Sequence, residues 1–277
     1  MELPAQQISF LQHKAVQVRR DVIRMLAGAG SGHPAGSLSA VDILVALYFQ
    51  ILKHNQRNPE WPERDRFVLS NGHICPALYA VLARAGYFSQ SKLLTLRKLG
   101  SSLQGHPHRG DLPGLETTSG SLGSGLSQAC GMALAAKMDR SAWRVICLMS
   151  DGEQDEGNIW EAVMFAAKCK LDNLTAVVDC NGIQIDGPTQ KVMPLESLKN
   201  KYQAFGWEVL EIDGHNFSEI INAFEQAGSI KRKPTVIIAH TIPGKGVPFM
   251  ENKFEWHGKS LNKEEAEKAL GGLEDDR

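Results

Sequence analysis

The chain has 277 residues, enough for one large α/β domain or two small ones. Hydrophobic residues make up 43% and charged residues 22%, so a sizeable core can be buried. A net charge of -1, with no long basic run, disfavours nucleic acid as the main partner. The start, "MELPAQQISF", lacks the basic and apolar regions of a signal peptide. The longest apolar stretch, "VDILVALYFQIL", contains Asp42 and is too short to span a bilayer, so no membrane is expected. Five cysteines without CxxC spacing (Cys75, Cys130, Cys147, Cys169 and Cys180) read as buried reduced thiols, and so as a reducing, cytoplasmic compartment.

Residues 11–28 place Val18, Val22, Met25 and Leu26 on one helical face, with Gly28 and Gly30 as stop signals. Residues 39–52 read as a second helix capped by Ser39. A short strand at 66–70 enters "NGH", and a helix over 75–88 follows. Residues 101–125 are a long loop rich in Gly, Ser, His and Pro, of the kind that is functional or disordered inside a compact domain. Then come helix 126–138, strand 143–149, helix 157–170 and strand 174–179. Strand 208–212, helix 217–228 and strand 235–240 complete the series, and residues 261–277 are a polar helix with a frayed end. Strands alternating with helices predict a doubly wound, mainly parallel α/β sheet, which binds ligands at the carboxyl ends of its strands.

The stretch "LMSDGEQDEGNIWEA" crowds Asp151, Glu153, Asp155 and Glu156 where a strand hands over to a helix. If strands 143–149 and 174–179 are neighbours, Asp151 and Asn181 lie at equivalent tips. A carboxylate, an amide oxygen and a backbone carbonyl make half of an octahedral Mg²⁺ site, which phosphate oxygens and water complete. Gly152 would let a phosphate approach the backbone at a helix N-terminus. A plainer reading makes Asp151 a helix cap and Asn181 a turn residue. Four histidines stand in Gly- or Pro-flanked turns: His33 in "GSGHPAGSLS", His73 in "LSNGHICPALY", His106 in "QGHPHRG" and His257 in "EWHGKS". Taken singly, each is an ordinary surface or satisfied histidine. Their spacing fits no zinc pattern, and four at one sheet end suit proton transfer and hydrogen bonding to hydroxyls.

"SDG" (150–152), 27 residues (153–179) and then "CN" (180–181) resemble the thiamine diphosphate-binding motif. With the four histidine segments and "TTSGSLGSGLSQACGMALA", the chain resembles the N-terminal part of transketolase over roughly residues 12–262. That resemblance implies the thiamine diphosphate-binding (PP) fold over residues 1–277, with a polar tail from about 261. It implies thiamine diphosphate as cofactor, held through Mg²⁺, or Ca²⁺ or Mn²⁺ in its place. Asp151, Asn181 and the carbonyl of Ile183 would ligate the metal. Gly36, His73, Gly120, Ser121, Leu122, Gly152 and His257 would contact or approach the cofactor. His33, His106 and His257 would contact the sugar and aid proton movement, and Glu156 would meet a carboxylate of a partner chain across a subunit interface. Glu153 and Asp155 are left as solvated charges at a helix start. Ser150, Cys180 and Pro243 depart from the family pattern; Pro243 stands where a Lys is common.

The glutamate that transketolases direct at the aminopyrimidine ring belongs to a further, C-terminal domain. The resemblance therefore implies the PP subunit of a split transketolase. A separate C-terminal subunit in a heterotetramer would supply the pyrimidine domain. The pair would move a two-carbon ketol unit from a ketose phosphate to an aldose phosphate. Alternatives are a transketolase for modified sugars, another thiamine enzyme such as a deoxyxylulose phosphate synthase, and a catalytically silent interaction module.

Overall fold

The structure is a computed structural model that describes residues 3–273. Helix α1 (Ala5–Ala29) starts directly after Pro4, earlier than expected, and ends at Gly30. Gly30 adopts φ 64 and donates its N–H to Leu26 O at 3.0 Å, so it is the stop, while Gly28 lies within the helix. Val18, Val22, Met25 and Leu26 are all buried, as their spacing predicts.

The expected helix over 39–52 is three pieces. Pro34 opens α2 (Pro34–Ser39), α3 follows (Val41–Ala46), and a π-turn covers Leu47–Ile51. Ser39 is not a cap. It closes α2, and its hydroxyl donates to Gly36 O and to the carboxylate of Asp179, a residue 140 positions away. That tertiary bond replaces the local one the sequence suggested.

Strand β1 (Arg66–Leu69) leads into α4 (Cys75–Arg84), and a long irregular segment follows, which carries His106. Then come α5 (Ser124–Met138), β2 (Val145–Ser150), α6 (Gly157–Lys168) and β3 (Leu174–Cys180). Strand β2 starts two residues later than expected because Arg144 is engaged elsewhere. Its backbone and guanidinium bond Asp65, and its guanidinium also reaches Ile51 O. A small hairpin of β4 (Ile183–Gln184) and β5 (Gly187–Pro188) precedes α7 (Thr189–Val192) and α8 (Leu198–Ala204). Strand β6 (Glu208–Asp213), α9 (Phe217–Ser229), β7 (Thr235–His240) and α10 (Lys263–Gly272) complete the order.

The five-stranded sheet runs β1-β2-β3-β7-β6 with every pairing parallel. Alternation along each strand divides the apolar residues between two cores. Phe67, Leu69, Ile146, Leu148, Val177 and Ile237 face α1–α4 and α9. Val68, Val145, Cys147, Met149, Val178 and Ile238 face α5, α6 and α8. Burying each such side chain contributes about 1.5–3 kcal/mol, and helices on both faces make the sheet doubly wound.

The polar tail helix is docked. Asn262 and Glu265 form a capping box, Ala266 and Ala269 are buried, and the Arg20 guanidinium donates to the carbonyls of Leu270 and Leu273. The frayed end expected beyond it, residues 274–277, lies outside the described residues. All five cysteines are free thiols, and burial pushes Cys75, Cys130 and Cys180 up to about 12. No helix among the described residues is long and apolar enough to cross a membrane.

Candidate active site

Strands β2 and β3 are neighbours, with Ser150 opposite Asp179, so Asp151 and Asn181 leave the sheet at the same end. Asp151 is 1% exposed. Its Oδ1 accepts the Gly152 N–H at 2.8 Å, and its Oδ2 accepts the Gly182 N–H at 2.6 Å. The first bond is local capping; the second joins the two strand tips. Gly182 makes this approach at φ 76, a conformation that favours glycine. The Asn181 amide oxygen accepts the Ile183 N–H at 3.2 Å, and its amide nitrogen donates to Asp179 at 3.3 Å.

Asp179, absent from the sequence-derived site, is fully buried beneath Asn181. It accepts bonds from the hydroxyls of Ser39 and Thr241 as well as from Asn181. Its signal was weak in sequence, since one Asp at the end of an apolar strand does not reveal partners on α2 and beyond β7. Burial pushes the Asp151 carboxyl up to about 7 against its backbone N–H bonds, and repulsion from Asp179 adds to the push.

The donor set fits a divalent cation. Among the described residues neither Asp151 nor Asp179 accepts a hydrogen bond from a lysine or arginine, and a cation at the Asp151 tip would relieve both burial and repulsion. The Asp151 oxygens and the Asn181 amide oxygen each accept one hydrogen bond, fewer than their lone pairs allow. No group of three or more His, Cys, Asp or Glu side chains among the described residues could hold an ion alone. The remaining ligands therefore have to come from backbone carbonyls, water and a phosphorylated ligand, as a hard cation accepts.

Beside the tip lies a cavity of about 390 Å³ lined by His33, His73, His106, His257, Gly120, Leu122, Ser150, Gly152 and Ile183. The rings of His33, His73 and His257 form a triangle with centroids 4.9, 5.5 and 5.6 Å apart. Burial, then the imidazole of His257, holds His33 down at about 4. Burial, then the imidazole of His33, holds His73 down at about 3. Burial also lowers His257, and burial with the Arg97 guanidinium lowers His106. The imidazoles are therefore neutral near pH 7, each able to donate at one nitrogen and accept at the other. The Nδ1 atoms of His33 and His257 are buried without a hydrogen-bond partner, which suits a polar ligand in the cavity. A Cβ at Gly152 would stand 2.9 Å from Gln184 Cγ, so close approach to this backbone needs glycine.

Some expected site residues lie apart from the cavity lining. Gly36 is buried within α2, where an added Cβ would stand 3.0 Å from Ile74 Cγ2. Ser121 is exposed on the loop before α5. Glu156 is exposed at the start of α6, free to face a partner chain. Asp155 is exposed, as expected, and accepts from Gln184 at 2.7 Å. Glu153 is a correction: it is 0% exposed, not solvated. The turn 152–155 is a 3-10 segment that folds back under β2, which carries Glu153 inward while Asp155 stays out.

This layout is a doubly wound α/β domain with a histidine-lined cavity beside two adjacent strand tips. Residues 12–273 match the family model described as "Transketolase, thiamine diphosphate binding domain". The chain belongs to the transketolase family, in which it constitutes the thiamine diphosphate-binding part. It is 48% identical over 264 residues to the 6-deoxy-6-sulfo-D-fructose transketolase subunit SqwG of Clostridium sp. (strain MSTE9), covering 95% of this chain and 96% of that one. It is 42% identical over 264 residues to an apulose-4-phosphate transketolase subunit of Phocaeicola vulgatus, covering 95% of this chain and 94% of that one. The crystal structure of Campylobacter jejuni transketolase superposes with a TM-score of 0.91 at 35% identity, over 100% of this chain and 44% of that one. These two relatives of matching length are subunits of transketolases, and the chain spans less than half of the solved transketolase.

Proposed function

We propose that this chain, residues 1–277, is a single PP domain that acts as the diphosphate-binding subunit of a split transketolase. It works in the cytoplasm with a separate C-terminal subunit, in a heterotetramer. The observation that carries the reading is the convergence of four neutral imidazoles on the strand tip that bears the buried Asp151. When bound, thiamine diphosphate supplies an electron sink for breaking and remaking a carbon–carbon bond beside a carbonyl.

Asp151, Asn181 and the Ile183 carbonyl would hold Mg²⁺, or Ca²⁺ or Mn²⁺, against the diphosphate. Gly152 and His73 would face the phosphates, while Gly120, Ser121 and Leu122 would line the cofactor and Gly36 would support its ring end. His33, His106 and His257 would bind the sugar hydroxyls and carry protons, a task suited to imidazoles that are neutral at pH 7. Glu156 would face the partner chain, where two carboxylates in contact share a proton. The donor is a ketose phosphate and the acceptor an aldose phosphate.

A second reading makes the donor a modified ketose. It is favoured by the names of two relatives of matching length, one a sulfofructose and the other an apulose phosphate transketolase subunit. The test is two-carbon transfer measured for the chain alone, for a pyrimidine-domain chain alone and for their mixture, across plain and modified ketose donors. Activity only in the mixture is expected. Full-rate transfer by this chain alone overturns the split arrangement, and no transfer from any mixture overturns the enzymatic reading.

A further inference from the structure

Resting on that reading, we propose that Glu153 is a positioning residue that fixes the glycine loop before α5 against the Asp151–Gly152 tip, and so sets the width of the cofactor cradle. The carboxylate is 0% exposed and binds three separate segments. Its Oε1 accepts from the Ser70 hydroxyl, at the end of β1, and from the Gly123 N–H at 2.6 Å. Its Oε2 accepts from the Ser150 N–H at 3.2 Å. Ser70 Oγ in turn accepts the Gly125 N–H at 3.2 Å, so the hydroxyl extends the tie into the first turn of α5.

These are the segments that bear the candidate contacts: His73 follows Ser70, Gly120–Leu122 precede Gly123, and Asp151 follows Ser150. The loop is held on its other side as well. Gly123 adopts φ 80, an added Cβ would stand 1.9 Å from Asn158 Oδ1, and Asn158 donates to Leu122 O at 3.3 Å. Leu122 and Gly123 are thus set between Asn158 of α6 and the Glu153 carboxylate. A buried carboxylate is a costly way to join segments unless its donors are placed for it, and here all three are. Glu153 also lines the cavity, so loss of its grip changes the cradle itself.

The test uses the purified chain and calorimetric titration with two probes, Mg²⁺–thiamine diphosphate and Mg²⁺–pyrophosphate. The first ligand spans both the Asp151 tip and the glycine loop, while the second needs the tip alone. Glu153→Gln keeps the shape but has one acceptor oxygen, so an amide N–H₂ meets a backbone or hydroxyl donor. It is expected to weaken thiamine diphosphate binding at least tenfold and pyrophosphate binding less than threefold. Ser70→Ala, which removes one donor and leaves the carboxylate in place, is expected to move the same ratio in the same direction and secures the test if Glu153→Gln fails to fold. An unchanged ratio in the folded variants, with or without a lowered unfolding midpoint, reduces Glu153 to a structural tie and overturns the proposal. If the unmodified chain binds neither probe, the functional reading falls and this inference falls with it.

Discussion

Replacing Asp151 by alanine separates the role of this carboxylate in folding from its role in binding. The substitution leaves the N–H groups of Gly152 and Gly182 without their acceptor. Gly152 is half-buried and Gly182 is exposed, so water reaches these N–H groups and each loss lies at or below the low end of the range of about 1–3 kcal/mol that a buried, unsatisfied N–H costs. Against this, the folded chain no longer buries an ionised carboxylate. The rise of its pKa from the ordinary aspartate value to about 7 corresponds to about 4 kcal/mol of destabilisation at pH 8. The gain exceeds the loss, so the cation-free Asp151→Ala chain should be at least as stable in urea as the unmodified chain at pH 8, by up to about 4 kcal/mol. Its affinity for Mg²⁺–thiamine diphosphate should fall instead. Removing one partner of a buried charge pair costs about 3–5 kcal/mol, a hundredfold or greater loss. Urea denaturation and calorimetry read the two quantities separately. An affinity within threefold of the unmodified chain would refute the metal assignment, and a large loss of stability in the cation-free chain would refute the burial cost assigned to the carboxylate.

His106→Ala should lower turnover of the assembled enzyme more than it lowers cofactor affinity, because His106 lies exposed at the cavity wall; unchanged steady-state rates would remove it from the site. His33 and His73 should stay neutral from pH 8 to 5, checked by imidazole carbon shifts in NMR, and a midpoint near 6.5 for His73 in the folded chain would contradict their burial. Their folded-state values lie below the unfolded value, so the stability they contribute is complete above about 6.5 and declines as pH falls toward 4. Glu156→Ala should change the stability of the chain by less than about 0.5 kcal/mol, since Glu156 is exposed and its side chain caps nothing. The same substitution should alter association with the partner subunit, measured by sedimentation, and identical assembly would sink the interface role.

Periodic features of the fold were legible in the sequence. The face of α1 and the strand–helix alternation follow from apolar spacing, while the adjacency of β2 and β3, a condition in the sequence reading, holds in a sheet whose order is sequential only through β3. The three-piece arrangement at 34–51 was hidden because its reason is tertiary: Ser39 is drawn to Asp179 on β3 instead of capping a helix. The site divides the same way. Asp151 and the histidines announce themselves through glycine-flanked turns. Glu153 and Asp155 are indistinguishable by local sequence, yet one is enclosed by donors from β1, β2 and the loop before α5, and the other is in water. Long-range donors of that kind leave no trace in the residues beside them.

The most direct measurement is a crystal structure of the chain grown with Mn²⁺ and thiamine diphosphate, with the ion located by its anomalous scattering. The account predicts one strong peak at about 2.1 Å, the spacing of small hard cations, from both a carboxylate oxygen of Asp151 and the amide oxygen of Asn181, with the diphosphate against Gly152. An ion bound elsewhere, or a diphosphate seated away from the β2 and β3 tips, would contradict it.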